Sequence, residues 1–197
     1  MKMRKVLTGI ILLLFLASCG SGKAGTGKYI PYENISSNYT LENAKKDNLV
    51  VYEDINITSG QSVWEEFVSC TEKETPSMVR LAFYYTLDKE NISPEHYEEI
   101  KDDYPALYIQ DLRYDGKEYT LCYAENREKY VYNYKHLKRF ENNSPPSSAV
   151  YSSAVYYYLL NDPDITYGQI SKAMFSSFSG DFIDCQRVYS KLNYKEK

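Results

Sequence analysis

The sequence predicts an α+β fold, in which two to three helices pack on a mostly antiparallel sheet of about five to six strands. Segments typical of strands are more numerous than segments with helical periodicity. Asp115-Gly116 lies between two alternating apolar runs, which predicts a β-hairpin. Two capping boxes mark the starts of helices. Together these observations favour short helices laid on a sheet built from neighbouring hairpins.

Each predicted helix begins at a capping residue. The longest begins at a Ser62–Glu65 capping box and runs to about Glu72, with an apolar stripe that we expect to face a sheet. Three shorter helices are expected from Thr40 to Lys46, from Ser93-Pro94 to before Pro105, and from a Thr166–Gln169 capping box to about Ser177.

Strands are predicted where β-branched and aromatic residues cluster, at 49–52, 78–87 and 183–189, the last of which we expect to close the sheet. Segment 149–160 is ambiguous, because its apolar residues also fit a helical stripe. The run VYYYLL within it has strong strand propensity, so we predict a strand there.

The Asp115-Gly116 turn, read as a two-residue loop, sets Tyr114 opposite Lys117 and Arg113 opposite Glu118. Continuing this register places Leu112 opposite Tyr119 and Tyr108 opposite Tyr123. A second turn, around Asn126-Arg127, adds a third strand that sets Tyr123 beside Tyr130, Leu121 beside Tyr132 and Tyr119 beside Tyr134.

These registers put seven tyrosines on one face of the sheet: Tyr108, Tyr114, Tyr119, Tyr123, Tyr130, Tyr132 and Tyr134. Tyrosine is the outlier of the composition, with 22 residues against seven Phe and one Trp. One interpretation is a core face covered by the helix at 62–72. The other is an open or partly open aromatic face for a sugar, a peptide or a partner protein.

The N-terminal segment has the layout of a secretory signal: a basic start, an uncharged apolar run and small residues before Cys19. The run is about half the length that a bilayer-spanning helix needs. Leu16-Ala17-Ser18-Cys19 resembles the lipobox of bacterial lipoproteins. The resemblance implies cleavage before Cys19 and a diacylated Cys19 that anchors the mature chain in a membrane.

The glycines that follow, CGSGKAGTGKY, nearly fit two nucleotide-binding patterns, but they lack the preceding strand and following helix of a phosphate loop. We interpret them as a flexible tether. The predicted organisation is a signal peptide at 1–18, a lipidated cysteine and tether at 19–39, and one α+β domain at 40–197.

The hairpin LRYDGKEYTLCY and the tail DITYGQISKAMFSSFSGDFIDCQRVYSKL resemble a family of exported Gram-positive lipoproteins to which no chemistry is assigned. The resemblance extends over about residues 40–192. It implies an extracytoplasmic location, at the cell surface, and a single α+β domain. It supplies no catalytic residue.

Charge and cysteine content restrict the partners. Without residues 1–18 the chain has 20 basic and 27 acidic residues, a net charge of −7, and no basic cluster, so we expect no nucleic-acid partner. Cys70, Cys122 and Cys185 are widely spaced, and we interpret each as a buried structural thiol. The sequence does not decide whether Cys122 and Cys185 form a disulfide.

No catalytic or metal-binding motif is present. His136 is predicted on the same face of the sheet as the tyrosines, whereas Cys122 is predicted on the opposite face, which argues against a catalytic pair of these two residues. The sequence does not decide whether His136 pairs with Cys185. Asp162-x-Asp164 matches a calcium loop poorly, since Ala173 replaces the closing Glu. We therefore expect no cofactor and no metal.

The sequence best fits a membrane-anchored, extracytoplasmic module that binds a ligand or a protein without catalysis. One alternative is a hydrolase of cell-wall glycan or peptide that uses carboxylates scattered along the chain. Another is an inhibitor or immunity-type lipoprotein, for which we expect an exposed apolar patch. The ligand-binding residues and the oligomeric state are not predicted.

Overall fold

Two β-sheets form the frame of the protein. The computed structural model describes residues 29–125, 128–143, 151–177 and 182–195. In these residues the first sheet contains β1 (Val50–Glu53), β2 (Asn56–Ser59), β3 (Ser77–Tyr85), β4 (Ala106–Tyr114), β5 (Tyr119–Glu125) and β6 (Glu128–Tyr134). Their order is β2-β1-β3-β4-β5-β6, and every pair is antiparallel except β1 with β3.

The second sheet is antiparallel and has the order β7-β8-β9, from strands β7 (His136–Asn143), β8 (Tyr151–Leu160) and β9 (Cys185–Tyr194). The helices are α1 (Leu41–Lys46), α2 (Gln61–Glu72), α3 (Pro94–Ile100) and α4 (Tyr167–Phe175). The predicted α+β class is thus confirmed. The strand predicted within 149–160 is confirmed as β8.

The elements stack in layers. The inner face of the first sheet carries Val50, Leu81 and Leu121, and it packs against α2 and one face of the second sheet. The opposite, outer face packs against α1 and the segment from Tyr29 to Tyr39. Helix α4 covers the other face of the second sheet through Ile170. Each fully buried aliphatic side chain in these clusters contributes about 1.5–3 kcal/mol to stability.

The prediction that residues 183–189 close a single sheet is wrong. Strand β6 ends at Tyr134, and the amide of Lys135 donates to the carbonyl of Leu160 at 3.2 Å. From His136 onward the chain therefore pairs with β8 instead of continuing along β5. Strand β9 joins the other edge of β8 and runs to Tyr194, beyond the predicted end.

The predicted hairpin register is also wrong, by two residues. Tyr114 pairs with Tyr119, so the loop has four residues, and Arg113 faces Thr120 rather than Glu118. Asp115 causes the difference, because its Oδ1 accepts from the amides of Lys117 and Glu118 at 2.8 and 2.9 Å and folds the loop around its own side chain. A shift of two residues preserves which side chains share a face.

The register between β5 and β6 is confirmed, with Tyr119 opposite Tyr134, Leu121 opposite Tyr132 and Tyr123 opposite Tyr130. The predicted Thr40 cap and the predicted Thr166–Gln169 capping box are confirmed, and each threonine accepts from the amide three residues later. Ser93 caps α3 as predicted.

The predicted Ser62–Glu65 capping box is wrong. The N-cap is Gly60, at φ +74° and two residues before Ser62, so helix α2 begins at Gln61. A Cβ on Gly60 would stand 2.1 Å from the carbonyl oxygen of Leu49, so this tight entry requires glycine. Ser62 is left inside the first turn, and Glu65 accepts from the Gln61 side chain at 2.7 Å.

Residues 29–39, which were predicted as part of the tether, pack on the domain. Tyr29 is buried, and Tyr32, Ile35 and Tyr39 pack on the outer face of the first sheet. The predicted tether thus includes eleven residues that belong to the domain, because their aromatic and aliphatic side chains bury apolar surface. The predicted signal peptide (1–18), Cys19 and the rest of the tether lie outside the described residues.

Candidate functional site

The tyrosine face is divided into a covered half and an open half. Tyr114, Tyr119 and Tyr134 are buried with Trp64 and Phe67 of α2 in the main core. Tyr108 and Tyr132, on the same face, keep 48% and 42% of their surface exposed. The interpretation as a core face therefore holds for one part of it, and the other part is exposed.

The division follows from the size of α2. A helix of twelve residues is about 18 Å long, and strands lie about 4.8 Å apart. Six strands therefore make a sheet wider than the helix can cover. The end of β3, the start of β4 and the end of β5 extend beyond it.

A cavity of about 220 Å³ lies over this uncovered corner. The first sheet forms its floor, and the start of β9 supplies a wall. The side chains on the inner face of β3, β4 and β5 that line it alternate with outward-facing residues, as strand geometry requires. The lining residues are Phe83, Tyr85, Tyr108, Ile109, Gln110, Tyr123, Ala124, Glu125, Gln186 and Arg187.

The aromatic rings around the cavity support one another. Tyr85 and Tyr108 meet edge to face, with centroids 5.9 Å apart. Tyr123 stacks on Tyr130 at 5.4 Å and on Tyr132 at 6.0 Å. Such pairs contribute about 0.5–1.5 kcal/mol beyond the area that they bury. The rings are therefore held in place although they are partly exposed.

The cavity opens where β4 and β5 separate. Their paired register ends at Gln110 and Tyr123. At the next position the hydroxyl of Tyr32 donates to the carbonyl of Ile109 at 3.0 Å and accepts from the amide of Ala124 at 2.9 Å. The hydroxyl thus replaces a hydrogen bond of the ladder and leaves neither backbone group unsatisfied.

A second cavity, of about 260 Å³, lies on the outer face behind this point, between the strands and the segment from Tyr32 to Tyr39. It shares Tyr108, Ile109 and Ala124 with the first cavity. Tyr39 closes one side of it and donates to Asp47 at 2.8 Å. Residues 32–39, which were predicted as part of the tether, therefore line the outer cavity.

Arg187 is the cation of the inner cavity. It lies at an irregularity in the β8–β9 pairing, where Tyr158 pairs with Arg187 but Tyr157 pairs with Tyr189. Such bulges turn a side chain away from its regular direction. The guanidinium lies 5.9 Å from the centroid of the Tyr156 ring, a cation–π contact.

Burial raises the pKa of Tyr85, and the positive charge of Arg187 opposes that rise. Burial also raises the pKa of Tyr123, and its hydrogen bond with Tyr132 acts in the same direction. In the covered half, burial raises the pKa of Tyr134 to about 12. At neutral pH these phenols are therefore protonated and present O–H donors.

The three cysteines do not form a catalytic site. Cys122 lies on β5 and Cys185 on β9, in different sheets, and both are thiols rather than a disulfide. Burial raises the pKa of both thiols, which disfavours the reactive thiolate. Cys70 lies half-buried on α2.

His136 and Cys185 face Leu160 from opposite sides of β8. They are therefore two strand spacings apart, about 10 Å, which is too far for a nucleophile and its base. His96 is exposed and pairs with Glu99 at 3.2 Å. The Cys–His hypothesis gains no support from this arrangement.

Among the described residues, no three His, Cys, Asp or Glu side chains come close enough together to hold a metal ion. Searching the same residues for a membrane-spanning segment finds no helix of sufficient length and apolar character. The inner cavity has one carboxylate in its described lining, Glu125.

Sequence reasoning found Tyr108 and Tyr123 but missed Tyr85, Arg187 and Tyr32. Tyr85 could have been found by extending the tyrosine face onto the 78–87 strand. Arg187 could not, because it lines the cavity only through the packing of the second sheet on the first, which leaves no pattern in the sequence.

No protein-family model matches the chain, and no curated protein or solved structure matches it either. The resemblance to exported Gram-positive lipoproteins therefore stays a prediction.

Proposed function

We propose that the protein is a lipid-anchored, extracytoplasmic binding module without catalytic activity, and that the inner cavity is its ligand site. The observation that carries this proposal is the division of the tyrosine face. Ordered aromatic rings with exposed surface beside a cavity are typical of ligand sites. The same residue type, covered by α2, builds the core a few residues away.

The lining supports binding rather than turnover. It combines tyrosine hydroxyls and glutamine amides with aromatic walls, and it includes one carboxylate. A glycosidase requires two carboxylates facing each other across the substrate. No specific observation on the described residues favours the hydrolase alternative.

One observation favours a protein partner as a second candidate. Met174, Phe175 and Phe182, at the end of α4 and after it, expose 65%, 87% and 79% of their surface. Large exposed apolar side chains mark interaction surfaces. An inhibitor or immunity-type lipoprotein would use such a surface, and this binding would not involve the cavity.

The anchoring part of the proposal rests on the lipobox-like segment before Cys19. Two acyl chains hold a protein stably at a membrane. In a bacterial host, the protein should incorporate radiolabelled palmitate, and it should fractionate with membranes. Cys19→Ser should abolish both results, whereas Cys70→Ser should change neither. Labelling that persists in Cys19→Ser would contradict the proposed anchor.

The binding part is tested by thermal unfolding of residues 20–197, which contain every contact described above. The panel contains sugars, cell-wall fragments, peptides and divalent metals. A ligand at a hundred times its Kd adds about 2.7 kcal/mol, which raises Tm by roughly 5–10 °C for a chain of this size.

The matched variants are Tyr108→Ala and Tyr194→Ala, because both tyrosines are 48% exposed and only Tyr108 lines the cavity. We expect Tyr108→Ala to remove the ligand-induced shift and Tyr194→Ala to retain it. A shift that both variants retain would place the ligand elsewhere. A panel without any shift would contradict small-molecule binding and favour the protein-partner candidate.

A further inference from the structure

We propose that the inner cavity binds a single saccharide ring that carries a carboxylate, with Arg187 as the residue that recognises the acid. This inference rests on the proposed function and names the ligand class of the same site. Four properties of the cavity support it: an available cation, the position of that cation, the chemistry of the walls, and the size of the space.

Arg187 is available to a ligand. It is exposed, and no carboxylate of the described residues forms an ion pair with it. The other arginines of the described residues each lie near a carboxylate: Arg80 and Arg113 near Asp111, and Arg139 near Glu141. Glu125 lines the same cavity without pairing with Arg187.

The guanidinium of Arg187 is also held in a defined position. The cation–π contact with Tyr156 holds the guanidinium against a ring at the edge of the second sheet, where Arg187 lines the cavity. Among the lining tyrosines, burial raises the pKa of Tyr85 and the charge of Arg187 opposes that rise, so the guanidinium acts on this wall of the cavity. A planar guanidinium matches the two oxygens of a carboxylate.

The walls favour a sugar over a peptide. A peptide bound as an added strand needs a free strand edge. Strands β4 and β5 are both interior strands, and the hydroxyl of Tyr32 already satisfies the carbonyl of Ile109 and the amide of Ala124. The floor of the cavity therefore offers side chains for recognition. Strand β9, at the wall, is an edge strand of the second sheet, so a peptide that pairs with it is an outcome that the peptides of the panel test. Tyr85, Tyr108 and Tyr123 offer flat apolar rings with hydroxyls, which suit a ring that has an apolar face and a polar rim.

The size limits the ligand to one ring. The cavity volume of about 220 Å³ is below the range of roughly 300–1,000 Å³ that is typical of drug-sized ligands. The carboxylate would contact Arg187, and the ring would lie against Tyr108. Gln110 and Gln186 can donate to, or accept from, ring hydroxyls.

The experiment measures the binding of two matched sugar pairs to residues 20–197 by isothermal titration calorimetry, with ring signals of the tyrosines followed by NMR. Glucuronic acid is compared with glucose, and N-acetylmuramic acid with N-acetylglucosamine. Each pair differs mainly by a carboxylate-bearing group. We expect at least one acid to bind about ten- to a hundredfold more tightly than its neutral partner, since hydrogen bonds to charged groups contribute that much.

Arg187→Gln should remove this preference, because it removes the charge and keeps an amide of similar reach. Arg139→Gln is the control, since it makes the same change of net charge on β7, outside the cavity lining. Equal loss in both variants would overturn the role of Arg187. Equal affinity for acidic and neutral sugars would overturn the proposal while leaving a sugar site in the cavity.

If none of the four sugars binds but another probe from the panel perturbs the ring signals of Tyr108 and Tyr123, the saccharide inference is wrong and the proposed function stands. If no probe of any class perturbs those signals, both are wrong.

Discussion

Replacing Asp111 with alanine is expected to lower the free energy of unfolding by about 3–5 kcal/mol, because it leaves a buried charge without its partner. Arg80 and Asp111 face each other across β3 and β4 and are 2% and 0% exposed. The guanidinium makes two hydrogen bonds to the carboxylate, Nε to Oδ1 at 2.5 Å and Nη2 to Oδ2 at 3.0 Å. The ring of Tyr29 lies over it, at 5.1 Å.

Urea unfolding followed by circular dichroism measures this effect. Asp103→Ala is the control, since Asp103 is exposed and has no hydrogen bond or ion pair among the described residues. The double variant Arg80→Met, Asp111→Leu should recover most of the loss, because apolar residues often replace a buried ion pair without penalty. A loss below about 1 kcal/mol in Asp111→Ala, the range of an exposed pair, would contradict the burial of this pair.

Replacing Trp64 with alanine is expected to cost about 3–5 kcal/mol, the range for large aromatic residues in a core. Trp64 is 1% exposed and connects α2 with the second sheet. It stacks on Tyr189 with centroids 4.4 Å apart and meets Tyr157 edge to face at 5.2 Å. Its removal would leave a cavity between the layers.

Trp64→Phe is the matched variant. The indole N–H of Trp64 is buried without a hydrogen-bond partner among the described residues, so phenylalanine keeps most of the packing and removes an unsatisfied donor. We expect Trp64→Phe to lose much less stability than Trp64→Ala in the same urea experiment. Equal losses would mean that packing around the ring does not provide the stabilisation inferred here.

Local signals in the sequence predicted most of the elements, because their causes are local. Thr40 and Thr166 cap their helices as expected, because a helix cap depends only on the N-cap residue and the residue three positions later. The register of β5 with β6 also followed from the sequence, because tyrosines at alternate positions of both strands admit a consistent pairing. At the β4–β5 hairpin, the Asp115 side chain accepts from two loop amides, so the loop has four residues instead of the predicted two and the register differs by two residues.

Features that depend on distant parts of the chain were not predicted. The amide of Lys135 turns the chain from one sheet to the other by donating to Leu160, which is 25 residues away in sequence. The split of the tyrosine face depends on where α2 lies and on how wide the sheet is. Arg187 lines the inner cavity from the second sheet, and Tyr32 lines the outer cavity from a segment predicted as tether.

Tyrosine hydroxyls join separate parts of the fold, and two of them each satisfy a backbone donor and a backbone acceptor. Tyr32 connects the N-terminal segment to β4 and β5. Tyr52 connects the two sheets, since its hydroxyl donates to the carbonyl of Ser190 at 3.2 Å and accepts from the amide of the same residue at 2.9 Å. A phenol that both donates and accepts can satisfy two backbone groups at once. This explains how a tyrosine-rich chain builds a core as well as a site.

The division of one tyrosine face into core and cavity is the central claim, and chemical accessibility of the rings tests it most directly. Native protein is treated briefly with tetranitromethane, and nitrated tyrosines are identified by mass spectrometry of peptides. We expect nitration of Tyr108 and Tyr132 and protection of Tyr114, Tyr119 and Tyr134, since the first two are exposed and the other three are buried. Protection of all five, or nitration of all five, would contradict the division of the face.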